Sequence, residues 1–338
     1  MKPNTILRGV VAGALLAAFL LPAARPARAG RLGMDIIGLF PKEVGEFAYV
    51  DLKKARSIKW YAQLKEQLLP QRFHQFEQFL ASAGMDPNSQ VDELAWGLVA
   101  ESAGPDGETS GVPTGETTVG VALGSFNPNS AEAFFKAQKL PTFQARGFTL
   151  YAFGSGSGPN DLFFFFIDSN TAAFGHRRLL EKLIEVRYGT EEGLLRNDKL
   201  FPLINEANGS SVVWAVLNPS YARLAMHQLA PEVEQFPEAA KLVQNLKSLI
   251  INLDAGSGVD GKFQAIAAST EDANTLAQLL TAGFLYRRYQ AQQSNAELGQ
   301  LLDLARITPS GDRVVLRMSL SDDQMTSLIR QNVFTLRM

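Results

Sequence analysis

The sequence predicts an α+β fold made of two similar halves, each a mainly antiparallel sheet with helices packed on one face. Short apolar runs that suit strands alternate with longer stretches of helical periodicity. Neighbouring strand runs are joined by short loops bearing Gly, Pro or Ser, as antiparallel hairpins require. The order strand, helices, two-strand hairpin, helix, strand, helix then occurs twice along the chain.

In the first half, Pro41 and Gly45 lead into a strand over 47–52. A helix over 54–69 follows, with Ile58, Tyr61, Leu64 and Leu68 near helical spacing. Pro70 suits the first turn of a second helix, where Phe73, Phe76, Phe79 and Leu80 form an apolar stripe. Gly84 ends it, and the turn Met85-Asp86-Pro87-Asn88 leads to a strand over 94–101. A Gly/Pro/Thr-rich loop (102–116) joins this to a strand over 117–123, then a helix over 130–139. Strands over 148–153, 161–168 and 171–175 and a helix over 177–187 complete the half. The second half runs strand 211–217, helices 221–229 and 237–245, strands 249–254 and 262–269, helix 271–289, strand 313–319 and helix 322–332. Three helix starts carry readable caps: Asn129/Ser130, Ser269 with Asp272, and Ser321 with Gln324.

Residues 1–29 have the layout of a secretory signal peptide. Lys2 and Arg8 precede an uncharged apolar run over 9–21, Pro22 breaks it, and Ala27-Arg28-Ala29 offers small residues at both cleavage positions. The run is shorter than the ~20 residues of a membrane-spanning helix. The expected organisation is therefore a signal peptide (1–29), a first half (30–196) and a second half (197–338), which could form one continuous domain. The protein is expected to be exported, periplasmic or secreted, with no integral span after cleavage. Loss of four basic residues (Lys2, Arg8, Arg25, Arg28) takes the formal net charge from −2 to −6. A mildly acidic chain without a Lys/Arg cluster argues against nucleic acid as a partner. The chain has 46% hydrophobic and 20% charged residues, an ordinary globular composition that excludes a disordered, collagen-like or coiled-coil protein. It has no cysteine, so disulfides, thiolate metal sites and thiol nucleophiles are excluded too.

Several of these segments carry a resemblance. Phe40-Pro41 through Leu52, the turn Gly84-Met85-Asp86-Pro87, and Asn197-Asp198-Lys199-Leu200-Phe201 ahead of the second leading strand resemble an uncharacterised family of bacterial exported proteins, a domain of unknown function with a duplicated α+β unit. Gly209-Ser210-Ser211 departs from the family's Pro-led strand entry. The resemblance implies a fold and brings no activity or catalytic residues.

The search for chemistry returns mostly decoys. Gly256-Ser257-Gly258-Val259-Asp260-Gly261 fits G-x-G-x-x-G, but the next segment alternates like a strand, whereas a dinucleotide site needs a helix there. It reads as a hairpin loop. Gly154-Ser155-Gly156-Ser157-Gly158 has its serines at the wrong offsets for a nucleophile elbow. His74, His176 and His227 stand alone, without the paired spacing a zinc-binding helix needs. Asp51 and Asn218, each ending a leading strand, read as helix caps rather than paired groups at one end of the sheet. No catalytic, cofactor-binding or metal-binding residue is assigned. The segment 161–168 sets Phe163, Phe164, Phe165 and Phe166 in a row, two rings on each strand face. One face could line an apolar cavity or partner groove; a central core strand explains the same pattern. Arg177-Arg178 and Tyr286-Arg287-Arg288-Tyr289 are short basic spots. The expected function is non-catalytic binding of an unknown envelope protein or an apolar small molecule, with room for a homo-oligomer. The alternative is a hydrolase-type enzyme whose site is assembled from distant residues.

Overall fold

The computed structural model describes residues 31–69, 71–100, 116–158, 161–229, 237–256, 258–294 and 302–331. The expected signal peptide, with its cleavage residues Ala27 and Ala29, lies outside them. In chain order α1 (Met34–Ile37) precedes β1 (Glu46–Asp51), followed by α2 (Leu52–Ala55), α3 (Tyr61–Leu68), α4 (Gln71–Ser82) and α5 (Pro87–Gln90). Then come β2 (Val91–Ala100), β3 (Glu116–Gly124), α6 (Pro128–Ala137), β4 (Thr142–Ala145), β5 (Phe148–Phe153), β6 (Leu162–Phe166), β7 (Thr171–Gly175) and α7 (Arg177–Arg187). The remainder is α8 (Phe201–Ala207), β8 (Val213–Leu217), α9 (Pro219–Leu229), α10 (Pro237–Gln244), β9 (Ser248–Ala255), β10 (Gly258–Ile266), α11 (Thr270–Ser294), β11 (Arg306–Ser310), β12 (Arg313–Ser321) and α12 (Asp322–Arg330).

The class is the expected one, α+β with antiparallel pairing throughout. Among the described residues twelve strands join one sheet in the order β11-β12-β10-β9-β8-β1-β2-β3-β7-β6-β5-β4. The two leading strands, β1 and β8, pair with each other at its middle, with Ala48 opposite Ala215. At one end of this pair the Asp51 N–H donates to the Val212 carbonyl (2.9 Å), and at the other the Asn218 N–H donates to the Gly45 carbonyl (2.7 Å). Because β1 and β8 are antiparallel, Asp51 and Asn218 stand at opposite ends of the pair. Each is a cap: Asp51 Oδ1 accepts from the Lys54 N–H, and Asn218 Oδ1 from those of Ser220 and Tyr221.

Helices cover both faces of the sheet, not the single face expected. The reason is in the central strands, where every residue of β1 and β8 is buried, so neither face can be left to water. On one face Ala48, Val50, Ala215 and Ile251 pack with α3, α9, α10, α11 and α12. Farther along that face, Phe164 and Tyr151 pack with α4 and α6. On the other face Phe47, Tyr49, Val121, Trp214 and Ile250 pack with α1, α7 and α8.

Local details follow the sequence with a few shifts. The helix expected over 54–69 is broken into α2 and α3; between them Trp60 Nε1 donates to Asp322 Oδ1 (2.9 Å), tying this segment to α12. The cap of α6 is Asn127, one residue before Pro128, rather than Asn129 or Ser130. The caps at Ser269 and Ser321 form as read, the latter as a full capping box with Gln324. The G-x-G-x-x-G segment is the β9–β10 hairpin, tighter than expected because β10 already begins at Gly258.

Candidate functional site

A groove opens at the β11 end of the sheet. Helix α11 starts at the Ser269 cap, where Ser269 Oγ accepts from the Asp272 N–H (3.0 Å). Its first turns bury Ala273, Leu276 and Ala277 in the core. At 25 residues it extends about 37 Å, longer than the strands beneath it. Beyond Thr281 it therefore carries apolar side chains past the core: Leu285 is 55%, Tyr286 57% and Tyr289 64% exposed. Below it, β11 forms the end of the sheet with Ile307 on the helix side, in register with Leu316 and Phe263.

Between α11 and β11 run two adjoining cavities of about 230 and 360 Å³. Thr281, Leu285 and Ile307 line both; Phe284 and Leu302 close one end, Ala277 and Pro309 the other. Arg288 and Asp303 form a polar wall, with Nε to Oδ1 at 2.7 Å. Arg306 Nη1 donates to the carbonyls of Asp303 (2.6 Å) and Ala305 (3.1 Å), fixing the entry into β11. The space reaches the size range of small-ligand sites, with mostly apolar walls and a few polar groups. Of the basic spot Tyr286-Arg287-Arg288-Tyr289, Arg288 lines this groove.

The Phe163–Phe166 run lies elsewhere, and both its faces are packed. Phe163 and Phe165 join the cluster under α7. Phe164 contacts Phe76, Phe135 and Tyr151, with ring centroids 5.1–6.0 Å away. Phe166 meets Phe126 at 6.0 Å. A ligand reaching Phe164 has to displace α4 and α6, and one reaching Phe163 or Phe165 has to displace α7.

Among the described side chains, His74 and His176 do not converge. His74 Nε2 lies 3.9 Å from Glu66, and His176 Nδ1 accepts from the Thr118 N–H (2.8 Å) at the start of α7. His227 falls in α9, where its side chain lies outside what is described. The 154–158 loop is organised by Asp161, whose Oδ2 accepts from Ser155 Oγ (2.8 Å) and the Gly158 N–H (2.9 Å). Arg177 stacks over Phe143 at 4.6 Å.

A group of perturbed titratable side chains sits at the end of β1. Tyr49 Oη donates to Glu93 Oε2 (2.9 Å). Burial, then the neighbouring Glu93 charge, raises the Tyr49 phenol far above its ordinary value. Burial likewise raises the carboxyls of Glu93 and Asp254. Asp51 and Lys54 complete this corner as an ion pair at 3.2 Å. Among the described residues no three His, Asp or Glu side chains are placed to hold a metal ion, and no helix is long and apolar enough to cross a membrane.

No family model matches the chain, and no curated protein matches it. Solved structures do. Crystal form I of TP0453 matches with a TM-score of 0.51 and 11% identity, covering 89% of this chain and 98% of that one. Crystal form III of TP0453 matches with a TM-score of 0.50 and 10% identity, covering 88% and 99%. The likeness is one of fold, carried over nearly the whole of both chains.

Proposed function

We propose that the chain is an exported, non-catalytic envelope protein that binds a protein partner or an apolar ligand in the groove between α11 and β11. The observation that carries this reading is the continuous apolar wall of Phe284, Leu285 and Ile307, with Leu285 more than half exposed. Soluble domains rarely leave such surface open without a use for it. Export rests on the 1–29 layout, with its apolar run and Ala-x-Ala ending. We also read the chain as an internal duplication. The matching bonds at the two ends of the β1–β8 pair support this, as does the docking of β7 beside β3 and of β12 beside β10.

The test is a titration with N-phenyl-1-naphthylamine, a neutral dye that brightens in apolar sites. The wild-type protein brightens it, and Leu285→Asp, at an exposed position the fold does not need, lowers the response several-fold. An equal response from both proteins places apolar binding elsewhere and ends this reading.

A further inference from the structure

The two sides of β11 offer different chemistry. Toward α11 lies Ile307 with the apolar groove. On the other side, by register, Lys262 of β10, Arg317 of β12 and Arg306 of β11 stand directly opposite one another across three strands, with Arg306 Nη1 bent onto the Asp303 and Ala305 carbonyls. Directly opposed like charges on one sheet face are destabilising, so this row costs stability in the free protein. Nearby acids offset it only in part: Glu206 lies close enough to feel the charge of Lys262 but is engaged by Arg313, whose two terminal nitrogens both reach its carboxylate. Asp260, two residues from Lys262, accepts from Ser319 Oγ at 2.5 Å. Among the described residues neither Lys262 nor Arg317 has an ion-pair partner, and Arg317 and Arg306 are exposed.

The opposite end of the sheet is different. Beside β4, Arg146 is held by Glu185 at 2.7 Å and Arg177 lies over Phe143. Among the described residues the β11 end thus combines a terminal strand, an apolar groove on one side and exposed cations on the other.

We infer that β11 takes up an extended acidic segment of a partner protein as a thirteenth strand, with apolar residues entering the α11 groove and alternate acidic residues lying over Arg306, Arg317 and Lys262. Adding a strand supplies main-chain hydrogen bonds, and the period-two alternation of a strand delivers the two side-chain types to the two faces. Pro309 has no N–H to offer, so the pairing runs along Arg306–Thr308. A second copy of this chain is a poor occupant, because β11 against β11 would bring two cationic rows side by side. This inference rests on the proposed function, whose groove it fills.

The experiment uses short capped peptides of alternating Glu and Val, or alternating Lys and Val, added to the full-length protein after export. Binding is followed by fluorescence anisotropy, and amide hydrogen exchange is measured on β11. The Glu/Val peptide is expected to bind more tightly, to weaken in high salt and to slow exchange within β11. Arg317→Glu should lower its affinity about tenfold and turn the preference toward the Lys/Val peptide. Binding of both peptides alike, or a preference that Arg317→Glu leaves unchanged, overturns the acidic strand. If N-phenyl-1-naphthylamine still responds to Leu285→Asp in that case, the groove reading stands and only the strand partner is lost. Slow exchange of β11 without peptide, together with a dimer by native mass spectrometry, gives the edge to a second copy and overturns the inference.

Discussion

Glu93 holds its carboxyl above the ordinary value of 4.5, chiefly because it is half-buried, with Asp51 and Asp92 adding repulsion against the bond from Tyr49 and the charge of Lys54. A carboxyl raised by folding binds its proton more tightly in the folded chain than in the unfolded one. Its contribution to stability is therefore fully present below 4.5 and is lost as pH rises through the folded value. Glu93→Gln keeps an acceptor for the Tyr49 hydroxyl and removes the buried charge. Denaturant unfolding should find it more stable than wild type at neutral pH and equal to it below 4.5; a variant weaker at neutral pH would show that the bond to the ionised carboxylate outweighs burial. Some residue-scale facts were legible in the sequence. Asp51 and Asn218 read as caps because a short polar side chain ending a strand can bond back to the next N–H groups. The Phe163–Phe166 run showed that both strand faces must be covered, since four successive rings alternate sides. What covers each face depended on helices far away in sequence, so nothing in the run itself separated core from ligand wall.

Among the elements, legibility followed burial. The central strands β1 and β8 were readable as continuous apolar runs because both their faces are packed. Strands β4 and β11 were missed. Each ends the sheet, exposes one face, and has only four or five residues, so neither apolar periodicity nor length marks it. The candidate groove was hidden for the same reason: one wall is a strand the sequence does not announce, and the other is the overhang of a helix whose start alone was capped legibly. The β9–β10 hairpin was read correctly from the strand-like alternation after the glycines, and its geometry explains the glycines. Gly258 adopts φ +147°, and a Cβ there would lie 1.9 Å from the Leu320 carbonyl oxygen. Gly258→Ala must therefore push β10 away from β12 at the register pair Gly258–Ser321. We expect a loss of more than about 1 kcal/mol in urea unfolding, beyond the usual cost of a strained Ala. A neutral result would mean that this end of β12 moves freely away from β10.

The whole molecule depends on the β1–β8 junction. One core contains Ala48, Val50 and Leu98 from before residue 197 together with Ala215, Leu217 and Ile251 from after it. The core on the opposite face joins Phe47 and Tyr49 to Trp214, Val216 and Ile250. Trp214 is fully buried, stacked on Tyr49 with ring centroids 5.5 Å apart and tilted against Phe47 at 5.6 Å. Separating 30–196 from 197–338 would open both cores along their full depth and strip β1 and β8 of one partner strand each. One cooperative unit is therefore expected, because the segments on either side of residue 197 each leave both cores unfinished. The expected result is a single unfolding transition, with far-UV circular dichroism and tryptophan fluorescence coinciding, the latter reporting Trp214 among its three tryptophans. The segments 30–196 and 197–338, expressed apart, should each expose apolar surface and aggregate, and mixing them during refolding should restore the native signal. Two separate transitions, or a half that folds alone with native-like fluorescence, would show that the central pair joins two finished domains. The groove at the β11 end could then be studied on the second half by itself.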